Sequence, residues 1–199
     1  MKIFEMEQRS VEWYKVRSGV PTASEFDKII TTKGAISTQR KKYLYQLAGE
    51  RLGGVVDETY QSFAMQQGVL KEGEARNLYN IASGDEVKQV GFCLSDDGKY
   101  GCSPDGLVGE DGAYEVKCPL IHTHIGYLIE NDVPTDYYTQ VQGQLLVTGR
   151  KWTDFMSYFP GLKPLIVREE PDEVFHKLLK KALEEFTNEL DDLVKRLSK

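Results

Sequence analysis

Apolar residues recur every three or four positions between residues 10 and 81, which is the spacing of amphipathic helices. Together with capping signals, this spacing predicts four helices. The first is short, is capped by Ser10 and runs through Trp13 and Arg17 to Gly19. The second begins with a capping box from Thr22 to Glu25. The third runs from Thr38 to Gly53, and the fourth runs from Ser62 to Ile81.

From Val87 onward the apolar period changes to that of strands and later returns to that of helices. Strands are predicted over 87–94, 100–108, 113–118, 151–159 and 165–168, and helices after Pro119 and from Pro134 to Thr148. An amphipathic helix follows over about 172–198, whose apolar stripe packs on the core or on a neighbouring subunit. Helices around one mixed sheet, without a linker or an internal repeat, predict a single α/β domain over residues 1–199.

The composition is that of an ordinary globular protein, with 40% hydrophobic and 28% charged residues. No apolar run approaches the ~18–20 residues of a membrane span, and the N-terminus lacks the pattern of a secretory signal. We therefore expect a cytosolic protein without a membrane partner. The formal net charge of −6 argues against a protein that coats nucleic acid non-specifically. A local basic surface is still compatible with it, and Lys33, Arg40 and Lys41 are candidates, although such a run is also typical of a solvated helix start.

Three cysteines, an odd number without a CxxC pair, favour reduced thiols over a disulfide framework. Cys118, His122 and His124 could supply three zinc ligands. Their spacing matches no common zinc pattern and no fourth ligand is evident, so a buried thiol and ordinary histidines are the preferred interpretation.

The residues between Ser103 and Pro119 combine a turn with converging charges. Side chains on a strand alternate between faces, so Glu115 and Lys117 point the same way and Val116 points into the core. A turn at 109–112 brings Asp105 alongside Glu115. Mg²⁺ prefers carboxylate and carbonyl oxygens, which makes Asp105, Glu115 and the carbonyl of Val116 suitable ligands. Lys117 would lie beside the attacking water, where it could orient the water, help it lose a proton or stabilise charge on a phosphate.

Each half of this pattern has an ordinary alternative. Pro-Asp-Gly is a common turn sequence, and Glu-x-Lys occurs often on strand faces by chance. Together, at hairpin spacing, the two halves are typical of a metal-dependent nuclease.

These motifs resemble those of a known family. Ser103-Pro104-Asp105 with Glu115-Val116-Lys117 looks like the PD-(D/E)xK nuclease motif, and the wider chain resembles the lambda-exonuclease (YqaJ-type) phage recombination nucleases. The supporting residues are Glu12-Trp13, Arg17-Ser18-Gly19, Thr22-Ala23-Ser24, Gly68, Glu72, Ala75-Arg76, the run Cys102–Gly106, the run Glu115–Pro119 and Gln140-Val141-Gln142. The resemblance covers about residues 12–159 and implies a restriction-endonuclease-like fold, with a mixed central sheet flanked by helices.

The resemblance implies roles for individual residues at the reaction centre. Asp105, Glu115 and Val116 would bind Mg²⁺, for which Mn²⁺ can substitute, and Lys117 would be the catalytic lysine. Glu72 is implicated near the metal, where its ordinary alternative is a surface acid on a helix. Gln140 is expected to position the water, and Gln144 shares its helical face whereas Gln142 points elsewhere.

A second set of residues suits an anion. Thr22 and Ser24 lie at a predicted helix start, where free N–H groups favour negative charge, and Arg17 carries a guanidinium suited to phosphate. Ser103 lies beside Asp105 and could join the two sites. The resemblance implies a pocket for a terminal 5′-phosphate; the plain alternative is that the hydroxyls are caps and Arg17 is a surface ion-pair partner.

The resemblance also bears on how DNA is handled. Met65 is a candidate wedge between base pairs, with an ordinary core methionine as the alternative. The family forms ring-shaped homotrimers that enclose DNA, so Lys33 and Arg40-Lys41-Lys42 could line a channel.

The predicted activity is that of a Mg²⁺-dependent 5′→3′ exonuclease of linear double-stranded DNA. It releases mononucleotides and leaves a 3′ strand for a single-strand annealing protein, as expected of a phage or prophage protein in the cytosol of a bacterial host. One rival is an endonuclease on the same fold, and another is a non-catalytic DNA-binding subunit.

Overall fold

The computed structural model describes residues 1–54 and 63–198, and their side chains except those of 63–67. Six α-helices lie within these ranges: α1 (Val11–Arg17), α2 (Arg40–Gly53), α3 (Phe63–Ser83), α4 (Ile121–Glu130), α5 (Thr135–Thr148) and α6 (Glu173–Leu197). The strands are β1 (Lys2–Phe4), β2 (Val87–Lys88), β3 (Phe92–Leu94), β4 (Gly101–Cys102), β5 (Gly106–Val108), β6 (Gly112–Lys117), β7 (Trp152–Ser157) and β8 (Leu165–Glu169).

The described strands form two sheets. The larger has the order β2-β5-β6-β7-β8, and it is mixed because β6 and β7 are parallel whereas the other neighbours are antiparallel. The smaller is antiparallel, with the order β1-β3-β4. The predicted α/β class is confirmed, with β6 at the centre of the larger sheet.

Two segments that were each predicted as one continuous strand are divided in the structure. The segment 87–94 is two strands in different sheets, and 100–108 is likewise divided between β4 and β5. The first break falls at Gly91, where a Cβ atom would lie only 2.7 Å from the carbonyl oxygen of Met6, so the N-terminal segment crosses tightly there. The second break, between β4 and β5, contains Pro104, which has no N–H to donate to a neighbouring strand. Strand β1 was not predicted because three residues are too short to show a period.

The predicted capping box is also wrong. The segment Ala23–Lys28 is a 3₁₀ helix, and the side chain of Thr22 caps nothing. Its hydroxyl contacts Arg17 and Ser24 instead. By contrast, Ser10 caps α1 as predicted, because its hydroxyl accepts a hydrogen bond from the N–H of Trp13.

The C-terminal helix packs on the core of its own chain. Its apolar stripe is buried against the face of α2, and five of its side chains are at most 3% exposed: Phe175, Leu179, Leu183, Phe186 and Leu190. Each such burial stabilises the fold by roughly 1.5–3 kcal/mol. Asp172 begins the helix by accepting hydrogen bonds from the N–H groups of Val174 and Phe175. No helix in the described ranges combines the length and apolar character needed to cross a bilayer.

Candidate active site

A cavity of about 550 Å³ opens where the β5–β6 hairpin meets the N-terminal segment, α3 and α5. Its lining combines acids, bases and amides from all these elements. The polar and charged residues that line it include Gln8, Arg9, Arg17, Ser24, Glu25, Glu72, Ser103, Asp105, Glu115, Lys117 and Gln140.

The hairpin brings Asp105 and Glu115 together as predicted. Gly106 pairs with Tyr114 in the antiparallel register, so the preceding residue, Asp105, lies opposite Glu115. One carboxylate oxygen of Asp105 accepts a hydrogen bond of 2.8 Å from the N–H of Val116. Burial raises the pKa of Asp105 well above its ordinary value, and the negative charge of Glu115 raises it further. Both effects favour the neutral form of the Asp105 carboxyl.

Lys117 contacts this pair directly. Its ammonium group lies 2.6 Å from Oε1 of Glu115, and the two residues share one face of β6. Burial by itself would lower the pKa of Lys117, but the carboxylates of Glu115 and Asp105 raise it above its ordinary value. Lys117 is therefore protonated at neutral pH and acts as a donor and a positive charge.

Two glutamines from α5 hold the carboxylate of Glu115. The amide of Gln140 donates to Oε1 over 2.6 Å and the amide of Gln144 donates to Oε2 over 2.7 Å. The i+4 spacing predicted this shared face. Gln142 points away, as expected, and its amide contacts the carbonyl of Glu170 and the N–H of Asp172.

If Asp105 and Glu115 bind the Mg²⁺ of the nuclease predicted from the sequence, replacing Gln144 with leucine is expected to lower its cleavage rate by about 10-fold, because a buried carboxylate oxygen of Glu115 loses its donor. DNA affinity should be unchanged, whereas calorimetric titration should show weaker Mg²⁺ binding. Gln142→Leu is the matched control on the same helix, and it should affect stability without changing Mg²⁺ binding. Equal Mg²⁺ affinity in the Gln144 variant and the wild type would show that this amide has no positioning role.

The donor set fits a divalent cation that prefers oxygen. Asp105 and Glu115 supply carboxylates, and Val116, whose N–H donates to Asp105 and whose carbonyl is a further oxygen, follows Glu115 on β6. Burial and the charge of Glu115 raise the pKa of Asp105, and a cation bound here would favour its ionised form.

The zinc alternative does not fit. Both ring nitrogens of the buried His124 are occupied, one by the hydroxyl of Ser157 at 2.7 Å and one by the carbonyl of Lys163 at 3.0 Å. Burial raises the pKa of Cys118 to about 12, which disfavours a thiolate ligand. His122 is exposed. Among the described residues, no three His, Cys, Asp or Glu side chains are grouped to hold a metal ion.

Glu72 lines the cavity but does not complete a three-acid cluster with Asp105 and Glu115. Its carboxylate faces Arg9, whose guanidinium donates two hydrogen bonds to it, of 2.7 and 3.1 Å. Arg9 was not predicted as a site residue, since 63 residues separate it from Glu72 and no motif contains it.

The predicted phosphate-binding residues lie together. Arg17 donates to the hydroxyl of Ser103 over 3.0 Å and to that of Thr22 over 3.3 Å, and Thr22 contacts Ser24 over 3.3 Å. We call these four residues the hydroxyl–arginine cluster. Burial lowers the pKa of Arg17. Its partners are hydroxyls rather than acids, which does not fit the alternative of a surface ion pair.

Trp13 contacts two members of this cluster, Arg17 and Ser103. Its ring lies under the guanidinium of Arg17, with 4.0 Å between the ring centroid and the central carbon. Its indole N–H donates to the hydroxyl of Ser103 over 3.0 Å. Trp13 therefore fixes both the cation and one hydroxyl.

The remaining DNA-contact candidates lie elsewhere. Arg40 is paired with Glu189 of α6 at 2.5 Å, Lys41 lies near the ring of Tyr45, and Lys33 is exposed. None of them lines the cavity. The side chain of Met65 lies outside the described residues, so its role as a wedge stays a prediction.

Comparisons with known proteins show which families and folds this chain resembles. Residues 12–151 match the model of the YqaJ-like viral recombinase domain. The fold matches the crystal structure of an alkaline exonuclease, LHK-Exo, from Laribacter hongkongensis, with a TM-score of 0.86, 32% identity and coverage of 95% of this chain and 96% of that one. The structure of LHK-Exo in complex with dAMP matches with a TM-score of 0.86, 33% identity and coverage of 94% and 96%.

A phage-related exonuclease from Haemophilus somnus 129PT shares the fold at 15% identity, with a TM-score of 0.68 and coverage of 89% and 96%. No curated protein sequence matches the chain. The restriction-endonuclease-like α/β fold that the motifs implied is confirmed.

Proposed function

Since the chain belongs to the YqaJ-like viral recombinase domain family and its fold matches an alkaline exonuclease, we propose that this DNA nuclease is a Mg²⁺-dependent 5′→3′ exonuclease of linear duplexes. It removes mononucleotides from the 5′ end and leaves a 3′ single strand. The relative LHK-Exo has been crystallised with dAMP, a mononucleotide, which supports this type of product.

The proposed cation would be held by Asp105, Glu115 and the carbonyl of Val116, with Glu72 nearby. When bound, it would act as a Lewis acid on the phosphate and neutralise developing charge. The protein supplies the rest. Gln140 and Gln144 hold Glu115 in one orientation, and the protonated Lys117 orients the attacking water and stabilises charge on the phosphate.

Water attack on phosphorus with cleavage of the P–O3′ bond releases a nucleotide with a free 3′-hydroxyl. The phosphate stays on the 5′ oxygen of the next nucleotide only if the bond broken is the one to the preceding 3′ oxygen. Each cut therefore regenerates a 5′-phosphate end, which is the group that the hydroxyl–arginine cluster suits. A nuclease with both sites in one cavity can repeat the reaction along one strand.

The observation that carries this proposal is the position of the hydroxyl–arginine cluster in the same cavity as Lys117. Ser103 is two residues before Asp105, and its hydroxyl contacts Arg17, so the two sites are joined through three consecutive residues of the chain. An enzyme that cuts within a strand has no use for a site that binds a terminal phosphate.

Replacing Arg17 with alanine is expected to remove the preference for phosphorylated ends. Loss of a charge-assisted contact to the terminal phosphate should slow digestion of 5′-phosphate duplexes by about 10-fold or more. Digestion of 5′-hydroxyl duplexes should change much less. The measurement compares initial rates on both ends for the variant, for the wild type and for Arg150→Gln, a control at the far end of β7. An equal loss on both ends would refute the pocket.

We extend the proposal to assembly and biological context. A homotrimeric ring around DNA would keep the enzyme on its substrate between cuts, and an annealing protein would receive the 3′ strand in the host cytosol. Lys33, Arg40 and Lys41 would face the enclosed duplex. Sedimentation at working concentration tests the ring, and a monomer that still digests DNA processively would exclude it.

A further inference from the structure

Arg9 has a backbone conformation that is unusual for a residue with a side chain. Its φ of 69° lies in the left-handed region, where glycine is favoured and other residues are strained. The other non-glycine residue with positive φ in the described ranges is Asn131, an ordinary helix C-cap on α4. Arg9 is instead the third residue of the turn from Glu7 to Ser10, in which the N–H of Ser10 donates to the carbonyl of Glu7 over 3.3 Å, a position where glycine or asparagine is usual when φ is positive.

This turn places the side chain of Arg9 in the cavity. Its guanidinium forms the two hydrogen bonds to Glu72 and lines the cavity together with Asp105 and Lys117. Burial would lower the pKa of Arg9, but Glu72 and then Asp105 raise it above its ordinary value. Arg9 is thus a permanent positive charge within the electrostatic field of the reaction centre.

The ion pair between Arg9 and Glu72 is one in which another anion can replace the carboxylate of Glu72. The two side chains are 37% and 25% exposed, and ion pairs open to solvent contribute little to stability. A guanidinium presents a planar fork that matches a phosphate as well as a carboxylate. A phosphate that enters the cavity can therefore replace Glu72 as the partner of Arg9.

We propose that Arg9 is a substrate-contacting residue that exchanges the carboxylate of Glu72 for a phosphate of the DNA strand held in the cavity. This inference rests on the proposed nuclease function and adds a second phosphate contact to it. Arg17 already has Ser103 and Thr22 as partners, whereas Arg9 contacts Glu72, so the two guanidinium groups mark separate positions. The released Glu72 then faces the centre formed by Asp105 and Glu115.

The test uses Arg9→Gly, which removes the side chain and relieves the left-handed strain, so the variant is expected to fold with an unchanged or higher melting temperature. Arg9→Lys keeps the charge and loses the fork. Arg150→Gln is the control, since it removes one positive charge near the β5–β6 turn, where Arg150 contacts the carbonyl of Gly109. DNA affinity is measured by fluorescence anisotropy in Ca²⁺ over a series of salt concentrations, after confirming that the duplex stays intact.

Arg9→Gly is expected to weaken duplex binding by about 10-fold and to reduce the slope of log Kobs against log salt by about one, as for the loss of one phosphate contact. Arg9→Lys should lie between the glycine variant and the wild type, and Arg150→Gln should match the wild type. Unchanged affinity and slope in Arg9→Gly would overturn the inference. A change in Mg²⁺ affinity alone would overturn it as well, because Arg9 would then only position Glu72. A wild-type protein that neither binds nor cuts DNA would instead refute the proposed function.

Discussion

Replacing Lys117 with alanine is expected to lower the rate of DNA cleavage by about 10²–10⁴-fold, the contribution usual for a positioned group that handles protons and charge. Lys117 is the cation in contact with Glu115, and Asp105 and Glu115 together keep it protonated. Without it, the proposed centre loses the ammonium group that would orient the water and stabilise charge on the phosphate. Single-turnover kinetics on a 5′-phosphorylated duplex measure the loss directly.

The matched control is Lys151→Ala, which removes an exposed ammonium paired with Asp111 at the other end of the sheet. It should cleave like the wild type. Duplex binding by Lys117→Ala, measured in Ca²⁺, should stay within a few fold of the wild type, so that the effect is assigned to chemistry. Near-normal turnover by Lys117→Ala with intact binding would contradict the role given to this lysine.

Replacing Arg168 with methionine is expected to destabilise the fold by about 2 kcal/mol, less than the loss of one partner of a fully buried charge pair, because the side chain of Arg168 is itself 49% exposed. The side chain of Asp154 on β7 is 6% exposed and accepts two hydrogen bonds from Arg168, of 2.7 and 2.8 Å, and one from the hydroxyl of Tyr79. Methionine keeps much of the packing on Trp152 but leaves the carboxylate with Tyr79 as its remaining described partner. Urea denaturation gives the change in the free energy of unfolding.

Two further variants identify the cause. Adding Asp154→Asn to Arg168→Met should restore part of the stability, because a neutral amide needs no counter-ion. Lys88→Met removes an ion pair whose side chains are 71% and 73% exposed, and it should cost less than about 1 kcal/mol. A similar small loss for Arg168→Met would show that the network around Asp154 contributes no more than a surface pair.

The convergence of side chains at the proposed reaction centre could be predicted from the sequence because the information for it is local. Asp105, Glu115 and Lys117 lie on one hairpin, where alternation and turn position decide which side chains converge. The spacing of Gln140 and Gln144 on one helix gave their shared face in the same way. Each of these inferences spans few residues and needs no knowledge of tertiary packing.

What the sequence did not reveal depends on contacts between distant segments. The strand breaks at Gly91 because residues 4–6 pack closely against it. The hydroxyl of Thr22 contacts Arg17 instead of capping a helix. The pairing of Arg9 with Glu72 combines a left-handed backbone position with a partner on α3. Neither the backbone angle nor the partner leaves a periodic signal in the sequence.

The most direct test of the proposed 5′→3′ exonuclease activity is to incubate the protein and Mg²⁺ with three substrates and to size the products over time. They are a linear duplex with 5′-phosphate ends, the same duplex with 5′-hydroxyl ends and a covalently closed circle. We expect mononucleotides from the phosphorylated duplex, much slower release from the hydroxyl ends and an intact circle. A cut circle would contradict this expectation, because the enzyme would then be an endonuclease and the hydroxyl–arginine cluster would not bind a terminal phosphate.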